Sequence, residues 1–200
     1  MKFRTFALSS SALAITLVLI GCSTPPGGMS GMDHTATPSP SSTAEGVFNN
    51  ADETFVMGMI AHHEQAIAMS DLLLDKEGVD ERVISLARDI KDAQGPEIDT
   101  MKDWLADWGI VTDDSGMEGM DHSGGGMMSA EDMAALESAS GAEASRLFLE
   151  QMTQHHQGAI DMAQQELDNG ENPGALELAQ TIIDAQTAEI ATMQDILATL

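Results

Sequence analysis

The stretch "FVMGMIAHHEQAIAM" (Phe55 to Met69) returns 93 residues later as "FLEQMTQHHQGAIDM" (Phe148 to Met162), matching at Phe, Met, His-His, Ala-Ile and Met. In both copies the apolar residues recur three and four apart, which places them on one face of a helix. A second pair matches at an offset of 92: "AQGPEIDTMKDWL" (Ala93 to Leu105) and "AQTAEIATMQDIL" (Ala185 to Leu197). Gln94, Glu97, Ile98, Met101 and Leu105 are answered there by Gln186, Glu189, Ile190, Met193 and Leu197. Each copy therefore reads as a helical hairpin that cannot bury its apolar face alone. Two such hairpins packed together predict an all-α fold, a four-helix bundle built from two repeats.

Outward from these cores, the pattern predicts long helices over about 52–76, 80–108, 142–168 and 173–200, with a short one opening at "SAED" (Ser129 to Asp132). Gly78 is the expected C-cap of the first. Gly95-Pro96 falls inside the second, where proline is expected to kink it. The bundle region is 51–200: hairpin 1 over 51–109, a Met/Gly-rich linker over 110–128, and hairpin 2 over 129–200.

Residues 22–50 are rich in Ser, Thr, Pro and Gly, a composition that reads as a disordered tether. Before it, a basic start (Lys2, Arg4) precedes an apolar run ending Leu19-Ile20-Gly21-Cys22. Residues 1–21 fit a cleaved export signal, and the last four residues resemble a bacterial lipobox in which Cys22 becomes the lipidated first residue. Anchoring by lipid to the outer face of the cell membrane follows. Cys22 is the sole cysteine, so no internal disulfide forms, and a lipidated Cys22 leaves no free thiol. Any soft metal ligand must then be a methionine thioether.

The net charge of −25 becomes −27 once Lys2 and Arg4 leave with the signal. That charge repels a phosphate backbone and excludes nucleic acid as a partner. Most of the 33 acidic residues read as a solvated surface.

All six histidines lie in methionine-containing motifs. On the helices, Met59 neighbours His62 and His63, and Met69 follows one heptad beyond His62. Met152, His155, His156 and Met162 repeat the arrangement. Glu97 with Met101, and Glu189 with Met193, stand four apart and in a hairpin are expected to face the His-His pair of the preceding helix. Two linkers carry Met-x-x-Met-Asp-His: Met29, Met32 and His34 near the start, and Met117, Met120 and His122 before Met127 and Met128. A Gly-rich segment has no core for methionine to fill, which favours a ligand role there. On the helices, methionine also serves as ordinary core filler. Imidazole with thioether suits copper, with Cu(I) or Ag(I) favoured by sulfur and Cu(II) accepted by nitrogen. Glu97 and Glu189 are expected to ligate, or to orient a histidine through its far nitrogen.

"MIAHHEQAIAM" followed by "AQGPEIDTMKDWL" resembles the bacterial domain-of-unknown-function family number 305, over about Asn50 to Leu200. The resemblance implies a ferritin-like helical bundle and, for exported members, copper binding and resistance. By motif match it points to Met59, His62, His63, Met69, Met152, His155, His156 and Met162. The chain departs from the family at Thr153-Gln154 and at Gly95-Pro96.

The expected function is copper sequestration, resistance or delivery, with a copper-trafficking protein as partner and no bond-making chemistry. A di-metal or redox enzyme on the same bundle is the first rival. Di-iron bundles use Glu-x-x-His, whereas Met59, Ile60, Met152 and Thr153 occupy the positions three before the four bundle histidines. A metal-free helical interaction module is the second rival. The sequence leaves the oligomeric state open.

Overall fold

The computed structural model describes residues 47–111 and 125–200. The export signal, Cys22, Met29, Met32, His34, Met117, Met120 and His122 lie outside the described residues.

Five helices and no strand make up the described residues: α1 (Asn50–Leu74), α2 (Glu81–Asp107), α3 (Ala130–Ser138), α4 (Gly141–Asn169) and α5 (Pro173–Leu197). Their starts follow from side chains that satisfy the free N–H groups of a first turn. Asn49 and Asp52 close a capping box on α1, and Ser129 and Asp132 close another on α3. Asp80 caps α2, and Asn172 caps α5 ahead of Pro173 at the first helical position. At the other end of α1 the expected C-cap shifts. The helix stops at Asp75, and Gly78 sits three residues on with φ +74°, supplying the left-handed turn inside the loop.

Pro96 does not interrupt α2, which is assigned as one helix from Glu81 to Asp107. Proline crowds the N–H and Cβ of the residue before it. Gly95 has no Cβ, which removes part of that conflict.

α1 and α4 form the central pair; α2 packs on α1, α5 on α4, and α3 lies across α1 and α4. The buried residues separate into two apolar clusters. One takes the second half of α1 (Met69, Leu73), the first half of α2 (Val83, Ile90), the first half of α4 (Phe148, Leu149, Met152) and Met193 of α5. The other takes the first half of α1 (Phe55, Met59), the second half of α2 (Met101, Leu105), the second half of α4 (Ala159, Ala163) and Ile182 of α5. This division makes α1 and α4 antiparallel. Burial of each large apolar side chain contributes about 1.5–3 kcal/mol.

One end of the bundle is fastened by a buried carboxylate. Asp52 accepts from the backbone N–H of Asn49 at 2.6 Å, Asn172 at 2.8 Å and Glu171 at 3.1 Å, tying the start of α1 to the α4–α5 loop. Burial alone would raise the Asp52 carboxyl, but these donors and Glu166 outweigh it and hold it below its usual range. Glu166, buried beside it, is pushed up to about 8, first by burial and then by Asp52. Both oxygens of Glu166 are buried without a hydrogen-bond partner, which favours the uncharged acid there.

Candidate metal centre

The two His-His pairs occupy the boundary between the apolar clusters. Alternation of core and rim along a helix would leave one histidine of each pair near the surface, because adjacent residues point about 100° apart. Here both elements of the central pair are covered on two sides, and all four rings are buried: His62 is 1% exposed and His63, His155 and His156 are 0% exposed.

His62 of α1 faces His155 of α4, its equivalent in the repeat, with ring centroids 3.7 Å apart and planes inclined at 39°. The outer histidines turn away from this pair to the flanking helices. His63 Nε2 lies 2.8 Å from Glu97 Oε2 on α2, and His156 Nε2 lies 2.6 Å from Glu189 Oε2 on α5. The two contacts are images of one another in the repeat. A carboxylate only accepts, so each Nε2 carries a hydrogen, and in the neutral ring Nδ1 is then the lone-pair nitrogen.

His62 Nε2 is held differently, donating to the carbonyl of Gly125 at 2.9 Å. That carbonyl comes from the end of the linker, laid against α4. A Cβ on Gly158 would fall 1.7 Å from the Gly125 oxygen, so only glycine permits the approach. The repeat partner of Gly158 is Gln65, and it fixes the same segment from the other helix. Gln65 Nε2 donates to Met128 O at 2.9 Å, and its Oε1 accepts from Met128 N at 2.7 Å.

Five ring nitrogens remain buried without a partner: Nδ1 of His62, His63 and His156, and both nitrogens of His155. An unsatisfied buried polar atom costs about 1–3 kcal/mol, so five in one layer call for a ligand. Three of these rings have the far nitrogen pinned by a carboxylate or carbonyl, the arrangement that fixes a metal-ligating imidazole. Burial lowers His62 to about 3 and holds His155 well below the usual imidazole range, each also repelled by neighbouring histidines. Both are neutral at pH 7 and need lose no proton to bind an ion.

Among the described residues, no three of His, Cys, Asp and Glu converge as one metal ion would require. The described residues therefore build no zinc-type cage. The donor set fits a soft ion of low coordination number that takes one or two imidazoles and completes its shell with sulfur.

Sulfur is close at hand in the core. Met59 and Met101 belong to the cluster on one side of the histidine layer, Met152 and Met193 to the cluster on the other, and all four are 0% exposed. Thr153 Oγ1 reaches Met193 Sδ at 3.7 Å. The repeat breaks at the next position: Met69 is wholly buried, whereas Met162 is half-buried against a cavity of 220 Å³ shared with Phe55 and Glu166. Met128 is buried in the first cluster, and Met127 is half-buried. Sequence reasoning did not find Gly125, Gly158 or Gln65 as partners of this layer. The Gln65/Gly158 mismatch between otherwise faithful repeats is the signal that marks them.

The fold and this layer define an all-α bundle of two repeated hairpins with a buried histidine centre. Residues 52–197 match the family "Domain of unknown function (DUF305)", and the chain belongs to it. A DUF305 fragment from Deinococcus radiodurans is 32% identical with a TM-score of 0.69, covering 76% of this chain and 98% of that one. A DUF305 protein from Streptomyces coelicolor, assigned as secreted, is 31% identical with a TM-score of 0.67, covering 78% and 94%. CopM in its Cu(II)-bound form is 33% identical with a TM-score of 0.64, covering 74% and 96%. CopM is similar to this chain in Cu(I)-bound and Ag-bound forms as well. No curated protein matches the chain.

Proposed function

We propose that this protein is an exported copper-binding lipoprotein that sequesters or passes on Cu(I), and accepts Cu(II) or Ag(I), through the histidine layer of the bundle. The observation that carries this reading is the set of five buried, unpartnered imidazole nitrogens. The copper- and silver-bound CopM structures support it. His62 and His155 are the proposed nitrogen donors, with His63 and His156 beside them, oriented by Glu97 and Glu189. Met59, Met101, Met152 and Met193 are the nearest sulfur donors in the packing, and Met69 and Met162 extend the set. The arrangement is ferritin-like, four long helices around a central site, without the Glu-x-x-His ligands of a di-metal enzyme.

Met29, Met32, His34, Met117, Met120, His122 and the half-buried Met127 supply a second set of soft donors, before and after hairpin 1 in the sequence. In this reading they collect the ion, and Cys22 holds the chain at the membrane. Copper is cargo here, and no chemical step is assigned to the protein.

Anaerobic titration of the mature chain with Cu(I), against a copy with His62, His63, His155 and His156 all changed to Ala, tests the reading. The variant is expected to lose at least one tightly held ion per chain. Unchanged stoichiometry and affinity would assign all binding to the linkers.

A further inference from the structure

The repeated Ala-Gln-x-x-Glu motif carries two glutamines that the histidine layer does not use. Gln94 and Gln186 are each 3% exposed, and Oε1 of each is buried with no hydrogen-bond partner. Both line a cavity of about 20 Å³ between α2 and α5, together with Glu97 and Glu189. Ala93, Ala185 and Ile182 complete the wall. The volume suits one atom of about water size. Glu97 and Glu189 bind their histidines through Oε2, and no described protein group is bonded to Oε1 of either. Their side chains are 20% and 22% exposed, so the cavity has an edge open to solvent.

We propose that this seam is a second metal site, built by Gln94, Glu97, Gln186 and Glu189 for a hard divalent cation of the Ca²⁺ or Mn²⁺ class. Two carboxylates supply charge, two carboxamide oxygens supply neutral donors, and water from the open edge completes the shell. The donors are all oxygen, unlike the nitrogen and sulfur of the histidine layer, so the two sites select different ions. The bound cation also bridges α2 and α5, the flanking helices, which share little direct packing. The proposal stands whether or not the histidine layer binds copper.

The test is calorimetric titration of the full chain with CaCl₂ and with MnCl₂ at about 0.15 M salt, where exposed acidic residues are screened. One saturable ion per chain is expected. The double variant Gln94→Leu, Gln186→Leu should weaken that binding by about tenfold or more and leave silver binding unchanged. Gln94→Glu, which adds a third carboxylate, should tighten it by about tenfold. Absence of a saturable site in the parent chain overturns the proposal, as does a folded double variant that binds like the parent. Should circular dichroism show the double variant unfolded, Gln94→Glu decides, and its failure to tighten binding overturns the proposal.

Discussion

His155 is the side chain that packing explains least. Both its nitrogens are buried and unpartnered, and its ring lies against a second imidazole. A hydrocarbon of similar size would suit the metal-free core better, because it removes the unsatisfied groups. His155→Leu is therefore expected to raise the stability of the metal-free protein by about 1 kcal/mol while weakening Ag(I) binding at least tenfold. Urea unfolding and a silver competition titration measure the two effects. Loss of stability in the metal-free variant would make His155 a structural residue.

Two buried groups give the protein opposite responses to pH. His62 falls from 6.5 to about 3 on folding, so between those values the unfolded chain binds the extra proton. Its contribution to stability is complete above about pH 6.5 and fades as the pH drops toward 3. Glu166 rises from 4.5 to about 8, so the folded chain holds the extra proton in that window. Its contribution is complete below 4.5 and is lost as the pH climbs to 8. Glu166→Gln keeps the size and neutrality of the protonated acid and abolishes the titration. At pH 8 it should be more stable than the parent by on the order of 2 kcal/mol, with little difference at pH 5. Chemical denaturation at both values checks this, and equal stability at pH 8 would contradict it.

At the scale of elements, two small residues in helices have opposite prospects. Gly158 sits where the linker crosses α4, and a methyl there must displace the Gly125 backbone. Gly158→Ala should cost about 2 kcal/mol despite alanine's better helix propensity, and release the Gln65 clasp. Faster hydrogen exchange at the Met128 amide would report that release. Pro96 removes an N–H from the middle of α2, where the repeat has Ala188. Pro96→Ala should stabilise the chain by about 1–3 kcal/mol, read as a higher urea midpoint.

The helices and their capping residues were legible in the sequence because periodicity and caps are local signals. The Gly78 cap was misplaced for the same reason: where α1 stops depends on how its last turn meets the rest of the bundle. The histidine pairs were legible as a repeat, and Glu97 and Glu189 as candidate hydrogen-bond partners, a contact that His63 and His156 make. Burial of both members of each pair was not, since it depends on α4 and α2 covering α1 from two sides. Gly125 meeting His62 and Gln94 sharing a cavity with Gln186 join residues 63 and 92 positions apart, and no local pattern encodes such contacts.

Across the whole molecule, the bundle holds two apolar clusters with a layer of imidazole between them, closed on one side by the end of the linker. Pairing like residues across an internal repeat places His62 and His155 face to face with no other group needed to bring them there. The outer pair and its carboxylates then shield that centre from water.

The most direct test is nitrogen NMR of the chain labelled with ¹⁵N-histidine, titrated with one equivalent of Ag(I). Lone-pair nitrogens of His62 and His155 are expected to shift or gain coupling to silver, while His63 and His156 keep their protons on Nε2. Changes confined to His34 and His122, with the four bundle rings untouched, would contradict it.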